Sequence, residues 1–329
     1  MKIQLIAEIG SVHDGSFGNA VKLIEAAAAA GASAVKFQTH VAEAETLPGA
    51  PMPPYFQGEP RLEYFRRTAF TPEQWAALKD VAASCGVLFL SSPFAIEAVD
   101  LLEVIGVEVY KIPSGEVTNT PLLERVAATG KPILLSSGMS SWEELDRAVA
   151  ICRQGGPLTV MQCTSAYPTP PGRVGLNVLA ELRFRYGLPV GYSDHTTGNT
   201  AAIAAATLGA TVIEKHFAFS RLMYGSDARH SSEPAEFAAL AGALAEVGDM
   251  LASPVDKDDL SAFSDMKSIF EKSIVSTRPL PAGSVLGVAD MAFKKPGTGL
   301  SAARYREFLG RRLRCDVPGN YLFRLDDFE

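Results

Sequence analysis

The stretch TVIEKHFAF, residues 211–219, decides the fold because it completes a series of similar segments. It begins with apolar, β-branched residues typical of a buried strand, and the charged residues Glu214, Lys215 and His216 follow directly. Charged groups are costly to remove from water unless they are paired, hydrogen-bonded or bound to a metal. We therefore expect this strand to end in a polar cavity.

Seven earlier segments of the same kind precede this one, and Ala- and Leu-rich helical stretches separate them. The eight predicted strands are residues 3–9, 33–39, 87–92, 107–113, 132–137, 158–164, 188–193 and 211–217. Alternating strands and helices imply parallel strands joined by crossover helices. Eight such units over about 250 residues predict an α/β fold of the TIM (β/α)8 barrel type. A doubly wound open sheet is the alternative, but no GxGxxG motif follows the first strand.

The rest of the chain differs in pattern from the repeated part. Residues 251–269 are polar and predict a linker, and residues 270–329 combine short β-type runs with Pro-Gly turns. We therefore predict a barrel domain over residues 1–250 and a small β-rich domain over residues 270–329. The loop over residues 40–70 is long and rich in Pro and Gly, which is typical either of a functional loop or of a surface excursion.

The composition excludes several classes of protein. The chain has 329 residues, of which 47% are hydrophobic, and its net charge is −7. It therefore lacks the basic excess of a nucleic-acid-binding protein, and no apolar run reaches the ~18–20 residues that span a bilayer. The four cysteines are far apart and form no CxxC motif, which indicates a reducing compartment rather than a disulfide framework. We expect a cytoplasmic protein.

Polar side chains stand at the carboxyl end of every predicted strand, where TIM barrels carry their active sites. They are Glu8, Lys36, Gln38, Ser91, Ser92, Lys111, Ser114, Ser136, Ser137, Gln162, Thr164, Ser193, Asp194, His195, Glu214, Lys215 and His216. A single Ser at a strand end usually caps the following helix. Because all eight strands share the feature, we expect one polar cavity at this end of the barrel.

Two lysines and four serines of this set suit a phosphate group: Lys36, Lys111, Ser92, Ser114, Ser136 and Ser137. Ammonium groups, hydroxyls and backbone N–H groups at helix N-termini together bind phosphate. A lone lysine on a strand is more often a surface charge. The convergence of two lysines with the serines favours a phosphate site.

Two histidines follow neighbouring strands at the same end. His195 and His216 place two imidazoles together with open coordination positions, which suits a divalent Lewis acid. The alternative is that hydrogen bonds satisfy each ring. His13, His40 and His230 are weaker candidates, and the cysteines lack the spacing of a structural zinc site.

The chain resembles the sialic acid synthase family in eight ordered motifs: AEIGSVHDG, AVKFQTH, FLSSPF, YKIPSGE, LLSSGM, QCTSAYPTP, GYSDHT and IEKHF. This family includes N-acetylneuraminate, legionaminate and pseudaminate synthases and the spore-coat polysaccharide biosynthesis homologues. The later stretches SIVSTRPLPAGSVL and FKKPGTG resemble the SAF domain, an antifreeze-like β-clip domain. The resemblance covers nearly the whole chain.

The resemblance implies a metal-dependent condensation of phosphoenolpyruvate with an N-acylated amino sugar, giving a nonulosonic acid and phosphate by C–O cleavage. It implies His195 and His216 as ligands of manganese, or of magnesium, and Glu8 as the residue that handles a proton. The substrate-binding residues that it implies are Lys36, Gln38, Ser92, Lys111, Ser114, Ser136, Ser165, Tyr167, Ser193, Asp227 and Lys295. It also implies a domain-swapped homodimer in which the SAF domain of one chain covers the barrel of its partner.

The chain departs from the family pattern at three positions that concern the substrates. Val12 stands where the family often has an amide, Ser165 where it often has Asn, and Lys295 where it commonly has an Arg that reaches the N-acyl group. Lysine lacks the planar fork of donors of arginine. The sequence therefore leaves the sugar open.

Two other functions remain open from the sequence. One is an aldolase on the same barrel that forms a Schiff base at Lys36, Lys111 or Lys215. The other is a carbohydrate-binding or regulatory homologue that has lost turnover.

Overall fold

The structure is a computed structural model that describes residues 3–51 and 58–329. Residues 1–2, at the start of the predicted barrel domain, and residues 52–57, within the predicted long loop, lie outside the described residues. The chain divides into two compact units, Met1–Ser253 and Pro254–Glu329.

The first unit is built around eight parallel strands that close into a barrel in the order of the chain. The strands are β1 (Gln4–Gly10), β2 (Ala34–Thr39), β3 (Leu88–Pro93), β4 (Tyr110–Ile112), β5 (Ile133–Ser136), β6 (Leu158–Cys163), β7 (Val190–Asp194) and β8 (Val212–His216). Pairing between β1 and β8 completes the ring and places Glu8 opposite His216. The predicted TIM barrel is confirmed, and ring closure excludes the open sheet.

Helices connect the strands and cover the outside of the barrel. They are α1 (Phe17–Ala29), α2 (Ala42–Glu45), α3 (Arg61–Thr68), α4 (Pro72–Ser84), α5 (Ile96–Ile105), α6 (Thr120–Ala127), α7 (Trp142–Cys152), α8 (Asn177–Tyr186), α9 (Thr200–Thr207) and α10 (Pro234–Ala252). Short 3₁₀ helices span Ser114–Glu116, Pro171–Arg173 and Ala228–His230.

Local sequence signals set several helix ends. Thr71 and Ser141 form capping boxes with Gln74 and Glu144, so the first N–H groups of α4 and α7 are satisfied. Gly106 follows α5 in the left-handed conformation (φ 71°), which costs glycine little because it has no Cβ. These local signals explain why the repeated strand–helix units can be predicted from the sequence.

The inside of the barrel changes from apolar to polar along the strand direction. A buried cluster fills its lower part: Ile6, Ala34, Leu90, Leu134, Met161 and Val212. Residues two apart along a strand lie on the same face. The next inward side chains are Glu8, Lys36, Ser92, Ser136, Cys163 and Glu214. The apolar cluster therefore forms the floor of a polar cavity at the carboxyl ends of the strands.

The second unit is small and rich in β-bridges. It contains α11 (Ser264–Phe270), the antiparallel pair β9 (Ser273–Ser276) and β10 (Met291–Lys294), and α12 (Tyr305–Phe308). All of α11 except its last residue lies in the segment 251–269 predicted as a linker. Its 3₁₀ helices span Ser261–Phe263, Val288–Asp290, Ala302–Arg304 and Leu325–Asp327. Its own core contains Ile274, Leu280, Leu286, Met291, Leu300, Phe308, Leu313, Val317, Phe323 and Phe328. The predicted small β-rich domain is confirmed as a fold.

Among the helices of the described residues, none combines the length and apolarity that crossing a bilayer requires.

Leu90→Ala should lower the free energy of unfolding by about 2–5 kcal/mol, because Leu90 is 1% exposed in the barrel floor and its truncation opens a cavity. Leu47→Ala is the matched control, since Leu47 is 80% exposed and should change that energy by less than about 0.5 kcal/mol. Urea unfolding followed by circular dichroism measures both. Equal effects of the two substitutions would contradict the placement of Leu90 in the floor.

Candidate active site

One cavity of about 510 Å³ opens at the carboxyl ends of the strands of the first unit. The predicted site residues that line it are Glu8, Lys36, Gln38, Ser92, Lys111, Ser114, Ser136, Ser165, Tyr167, Ser193, His195, His216 and Asp227. The structure therefore brings these thirteen residues, from all eight βα units, to a single site. Lys295 belongs to the second unit, where its ammonium group lies 4.6 Å from the ring centroid of Phe270.

Some residues at the strand ends have other partners. Ser91 donates to the carbonyl of Phe37, and Ser137 donates to the side chain of Gln162. Lys215 alternates with the inward residues of β8 and donates to Asp194 at 2.6 Å. It also donates to the carbonyls of Thr196 and Gly198. These contacts hold the β7–α9 loop on the outer side of the strands.

Two lysines and two carboxylates meet at the bottom of the cavity. Lys111 Nζ lies 2.9 and 3.0 Å from the two carboxylate oxygens of Glu214, and Lys36 Nζ lies 3.1 Å from Glu214 Oε1. Lys36 Nζ also lies 3.4 Å from Glu8 Oε2, and Lys111 donates to Ser193 Oγ at 3.1 Å. Glu214 therefore shares its charge between both ammonium groups.

Burial and the neighbouring charges shift the pKa values of these groups in different ways. Burial alone would raise the pKa of Glu214, but Lys111 and Lys36 hold that pKa well below its usual range. Burial raises the pKa of Glu8, and Lys36 only partly opposes the rise. Burial would lower the pKa of Lys36, but Glu214 and Glu8 together raise it. Burial lowers the pKa of Lys111, although Glu214 opposes the fall. While both lysines are protonated, one ionised carboxylate beside two ammonium groups leaves this end of the cavity positive.

Hydroxyl groups surround a glycine on one wall of the cavity. A Cβ atom on Gly138 would lie 2.5 Å from Ser114 Oγ and 2.7 Å from both Cys163 Sγ and Ser165 Oγ. Real Cβ atoms essentially never approach so closely. The absence of a side chain at Gly138 therefore lets the two hydroxyls converge near the lysines.

The two predicted histidine ligands lie side by side, with ring centroids 5.7 Å apart. His195 Nδ1 lies 2.8 Å from the carbonyl oxygen of Thr164, so Nδ1 carries the proton and Nε2 keeps its lone pair. Burial, with His216 beside it, lowers the pKa of His195 to about 3. Within residues 3–51 and 58–329, the buried Nδ1 of His216 has no hydrogen-bond partner.

A divalent metal binds an imidazole through a free nitrogen lone pair, which Nε2 of His195 and Nδ1 of His216 can offer, so the two rings fit such an ion. Among the described residues no group of three or more His, Cys, Asp or Glu side chains stands ready to hold a metal. The protein would thus supply two ligands, with the remaining positions left for water or substrate. Tyr167 packs beside the pair, with its ring centroid 4.3 Å from that of His195.

The other side of Glu8 is lined by groups that suit a sugar. Gln38 Nε2 donates to Glu8 Oε1 at 2.8 Å. Gly10 has a φ of +54°, and a Cβ atom there would lie 2.5 Å from Asp227 Oδ2 and 3.3 Å from Gln38 Nε2. Glycine at this position therefore allows the carboxylate and the amide to approach each other beside Glu8.

Sequence reasoning missed several residues of the cavity. It noted Glu214 at a strand end but assigned it no role, although its position two residues before His216 places both side chains on one face. The cavity also contains Arg61, Phe65 and Phe94. Their helix and loop positions carried no periodic signal that could have indicated them.

His13, a weaker metal candidate, is buried beside the cavity. Its Nδ1 accepts the N–H of Gly15 at 3.1 Å, and its ring centroid lies 4.5 Å from that of Phe70. Burial, with His40 beside it, lowers the pKa of His13 to about 4. His13 is therefore neutral in the folded protein at neutral pH.

Acid should destabilise the fold through His13. Its pKa is lower in the folded state than in the unfolded chain, so the unfolded chain binds the proton more tightly. Stability should fall as the pH drops from about 6.5 towards 4, by on the order of 3 kcal/mol from this group. His13→Gln keeps an acceptor without titrating, and urea unfolding at several pH values should show a shallower acid loss. An unchanged pH slope would contradict the neutral buried imidazole.

Comparisons with known proteins agree with this arrangement. The NeuB family model matches residues 23–256, and the SAF domain model matches residues 271–329. The N,N'-diacetyllegionaminic acid synthase of Campylobacter jejuni is 36% identical over 319 residues, which are 94% of this chain and 95% of that protein.

Two solved structures are similar to the chain. The N-acetylneuraminic acid (sialic acid) synthetase of Leptospira borgpetersenii matches with a TM-score of 0.73 and 30% identity, over 81% of this chain and 91% of that one. The putative spore coat polysaccharide biosynthesis protein E of Chromobacterium violaceum matches over 100% of both chains, with a TM-score of 0.77 and 27% identity.

The fold and the cavity define a TIM-barrel enzyme with its site at the carboxyl ends of the strands. The chain belongs to the NeuB family, which is the sialic acid synthase family, and carries a C-terminal SAF domain. The family expected from the eight sequence motifs is confirmed, and with it the expectation of an enzyme of the sialic acid synthase type.

Proposed function

We propose that the chain catalyses the metal-dependent condensation of phosphoenolpyruvate with an N-acylated amino sugar. The products are a nonulosonic acid, of the kind that sialic acid represents, and inorganic phosphate. The observation that carries the proposal is the convergence of Lys36, Lys111 and Glu214 with the paired histidines His195 and His216 in one cavity. The names of the relatives, which include a diacetyllegionaminic acid synthase and a sialic acid synthetase, support the same reaction class.

Phosphoenolpyruvate suits the positive end of the cavity. Lys36 and Lys111 would bind its anionic groups, and the hydroxyls of Ser92, Ser114 and Ser136 would donate to its oxygen atoms. Glu214 keeps both ammonium groups in place through its two oxygens. The lysines would also stabilise the charge on phosphate as it leaves.

The sugar aldehyde would bind between this end and Gln38, Tyr167 and Asp227. Carbon 3 of phosphoenolpyruvate forms the new bond to the aldehyde carbon, and water adds at carbon 2. The bond between carbon 2 and the bridging oxygen then breaks. Of the two water protons, one ends on the new hydroxyl and the other leaves with phosphate. The raised pKa of Glu8 suits a residue that accepts a proton from water and passes it on.

His195 and His216 would hold a divalent metal, which we propose to be manganese or magnesium. When bound there, the ion would polarise the aldehyde oxygen and make its carbon more electrophilic. The hydrogen bond from His195 Nδ1 to the Thr164 carbonyl orients the ring and leaves Nε2 as the ligating atom.

The lysine contacts disfavour Lys36 and Lys215 as the amine of a Schiff-base aldolase. A Schiff base requires a neutral amine, whereas Glu214 and Glu8 raise the pKa of Lys36. Lys215 is held on the other face of its strand by Asp194 and two carbonyl oxygens. Burial lowers the pKa of Lys111, so this lysine remains the candidate amine for that alternative reaction.

Further parts of the proposal concern the whole protein. We propose that the chain works in the cytoplasm as a domain-swapped homodimer, with Lys295 of the SAF domain contacting the sugar of the partner's barrel. The four cysteines are free, which is in keeping with a reducing compartment. Lys295 would provide one charged donor, in a geometry different from that of arginine.

Incubation with manganese, phosphoenolpyruvate and a panel of N-acylated hexosamines should release inorganic phosphate with at least one sugar. If the bridging oxygen of phosphoenolpyruvate is labelled with ¹⁸O, mass spectrometry should find the label in phosphate, because the C–O bond breaks. Reactions without sugar are the control. Label retained in the keto acid would contradict C–O cleavage, and no phosphate release with any sugar would argue for a binding protein.

His195→Ala and His216→Ala should each lower the affinity for Mn²⁺ by a factor of 10 or more, since each removes one of two protein ligands (roughly 1.4 kcal/mol per tenfold change). Isothermal titration with Mn²⁺ alone measures this without any turnover. His230→Ala is the matched control, because His230 is only partly buried and does not line the cavity. Unchanged Mn²⁺ affinity in both ligand variants would remove the histidines from the proposal.

A further inference from the structure

A stack of four planar groups forms one wall of the cavity. The ring of His40 lies between Phe65 and Phe94, with centroid distances of 3.7 and 4.2 Å and interplanar angles of 13° and 19°. The guanidinium carbon of Arg61 lies 5.4 Å from the centroid of Phe65. Arg61 and Phe65 are one turn apart on α3, which is the spacing at which helical side chains meet. All four groups line the cavity.

Hydrogen bonds connect this stack to the proposed reaction centre. His40 Nδ1 lies 2.8 Å from Glu45 Oε1, and His40 Nε2 lies 3.3 Å from Gln38 Oε1. Gln38 in turn donates to Glu8 at 2.8 Å. The stack is therefore held in place and lies beyond Gln38, at some distance from the lysines. A sugar whose aldehyde end lies near Glu8 would extend towards it.

Arg61 differs from the other arginines of its helix. Arg66 pairs with Glu43 at 2.5 Å, and Arg67 pairs with Glu59 at 2.6 Å. Arg61 is only partly exposed, and its buried Nε has no hydrogen-bond partner in the part of the chain that the structure describes. A buried donor without a partner costs free energy, so a ligand that accepts from it gains correspondingly. Because Arg61 lines the cavity, an acceptor group on a ligand there would offset this cost.

The charged and aromatic residues around Arg61 indicate which kind of substrate group could bind to it. Burial raises the pKa of Glu116, and Arg61 lies close enough to oppose that rise. A second carboxylate, Glu45, contacts His40 of the stack. With these two acidic residues around the stack, this wall is less favourable for an anion than the lysine end. The aromatic rings favour apolar contact. A neutral group with a carbonyl oxygen and a methyl group satisfies both requirements.

We propose that Arg61 is a specificity-determining residue of the sugar site, whose guanidinium donates to the carbonyl oxygen of an N-acyl group while Phe65 and Phe94 contact its methyl group. This inference rests on the proposed function, because it assumes that the cavity takes an amino sugar. It places the residues that bind the N-acyl group of the sugar in the first unit of the chain.

Arg61→Met tests the proposal, because methionine keeps an apolar stem and removes the donors. We expect kcat/KM for N-acetylmannosamine to fall about 10- to 100-fold, the loss typical of a hydrogen bond from a charged donor. With mannose, which lacks the acyl group, kcat/KM should not change, and the KM for phosphoenolpyruvate should stay at the wild-type value. Arg61→Lys should give a kcat/KM for N-acetylmannosamine between the values of the wild-type protein and of Arg61→Met. Lysine keeps the positive charge but lacks the planar fork of donors.

Arg66→Met is the matched control, because Arg66 lies exposed on the same helix; it should leave both sugars unaffected. Thermal unfolding should be the same for both Met variants. Unchanged kinetics in Arg61→Met, an equal loss with both sugars, or a raised KM for phosphoenolpyruvate alone would overturn the proposal.

A wild-type protein that releases no phosphate with any N-acylated hexosamine of the panel would contradict the proposed function. The role of Arg61 can then be tested by a binding measurement that needs no turnover. Saturation-transfer NMR should detect the acetyl methyl group of N-acetylmannosamine on the wild-type protein and a weaker signal with Arg61→Met. The same measurement serves if mannose is not turned over. An absent signal, or equal signals from both proteins, would overturn the role of Arg61.

Discussion

The ion pairs among Lys36, Lys111 and Glu214 are the interaction on which the rest of the site depends. All three side chains are buried, and an unpaired charge at such a place would cost several kcal/mol. The barrel pairs these charges because β2, β4 and β8 each direct one of the three side chains into the same space. Glu214 contacts both ammonium groups, so an anionic substrate meets lysines whose positions are already set.

The need to pair these buried charges also explains why the barrel interior is apolar at one end and polar at the other. Below the ion cluster, the apolar side chains of Leu90, Leu134 and Met161 fill the space and exclude water. The low dielectric constant there strengthens the interactions between the charged groups above. Above the cluster, burial lowers the pKa of His195, and His216 lies buried beside it. One protein interior thus supports both an anion site and a pair of imidazoles, because the two sets of side chains have different hydrogen-bond partners.

The cavity has two chemically different walls, which is what a reaction between two unlike substrates requires. The lysine end suits a dianionic enol phosphate, whereas the stack of Arg61, Phe65, His40 and Phe94 suits a neutral, partly apolar group. Glu8 lies between them, in contact with Lys36 on one side and Gln38 on the other. Substrate orientation can therefore follow from the walls alone, and Glu8, for which we propose a role in proton transfer, lies where the two proposed substrates would meet.

The sequence by itself determined the eight-fold repeat, the side of the barrel that carries the site and most of its lining, because strand periodicity and strand ends are local features. It did not determine which polar groups at those ends turn inward: Ser137 and Lys215 point to other partners although Ser136 and Glu214 are their neighbours. Only the tertiary structure decided that Arg61 and Phe65 join Phe94 and His40. Those side chains come from segments far apart in the chain, and their meeting depends on how a helix packs over the barrel mouth, which no local pattern encodes.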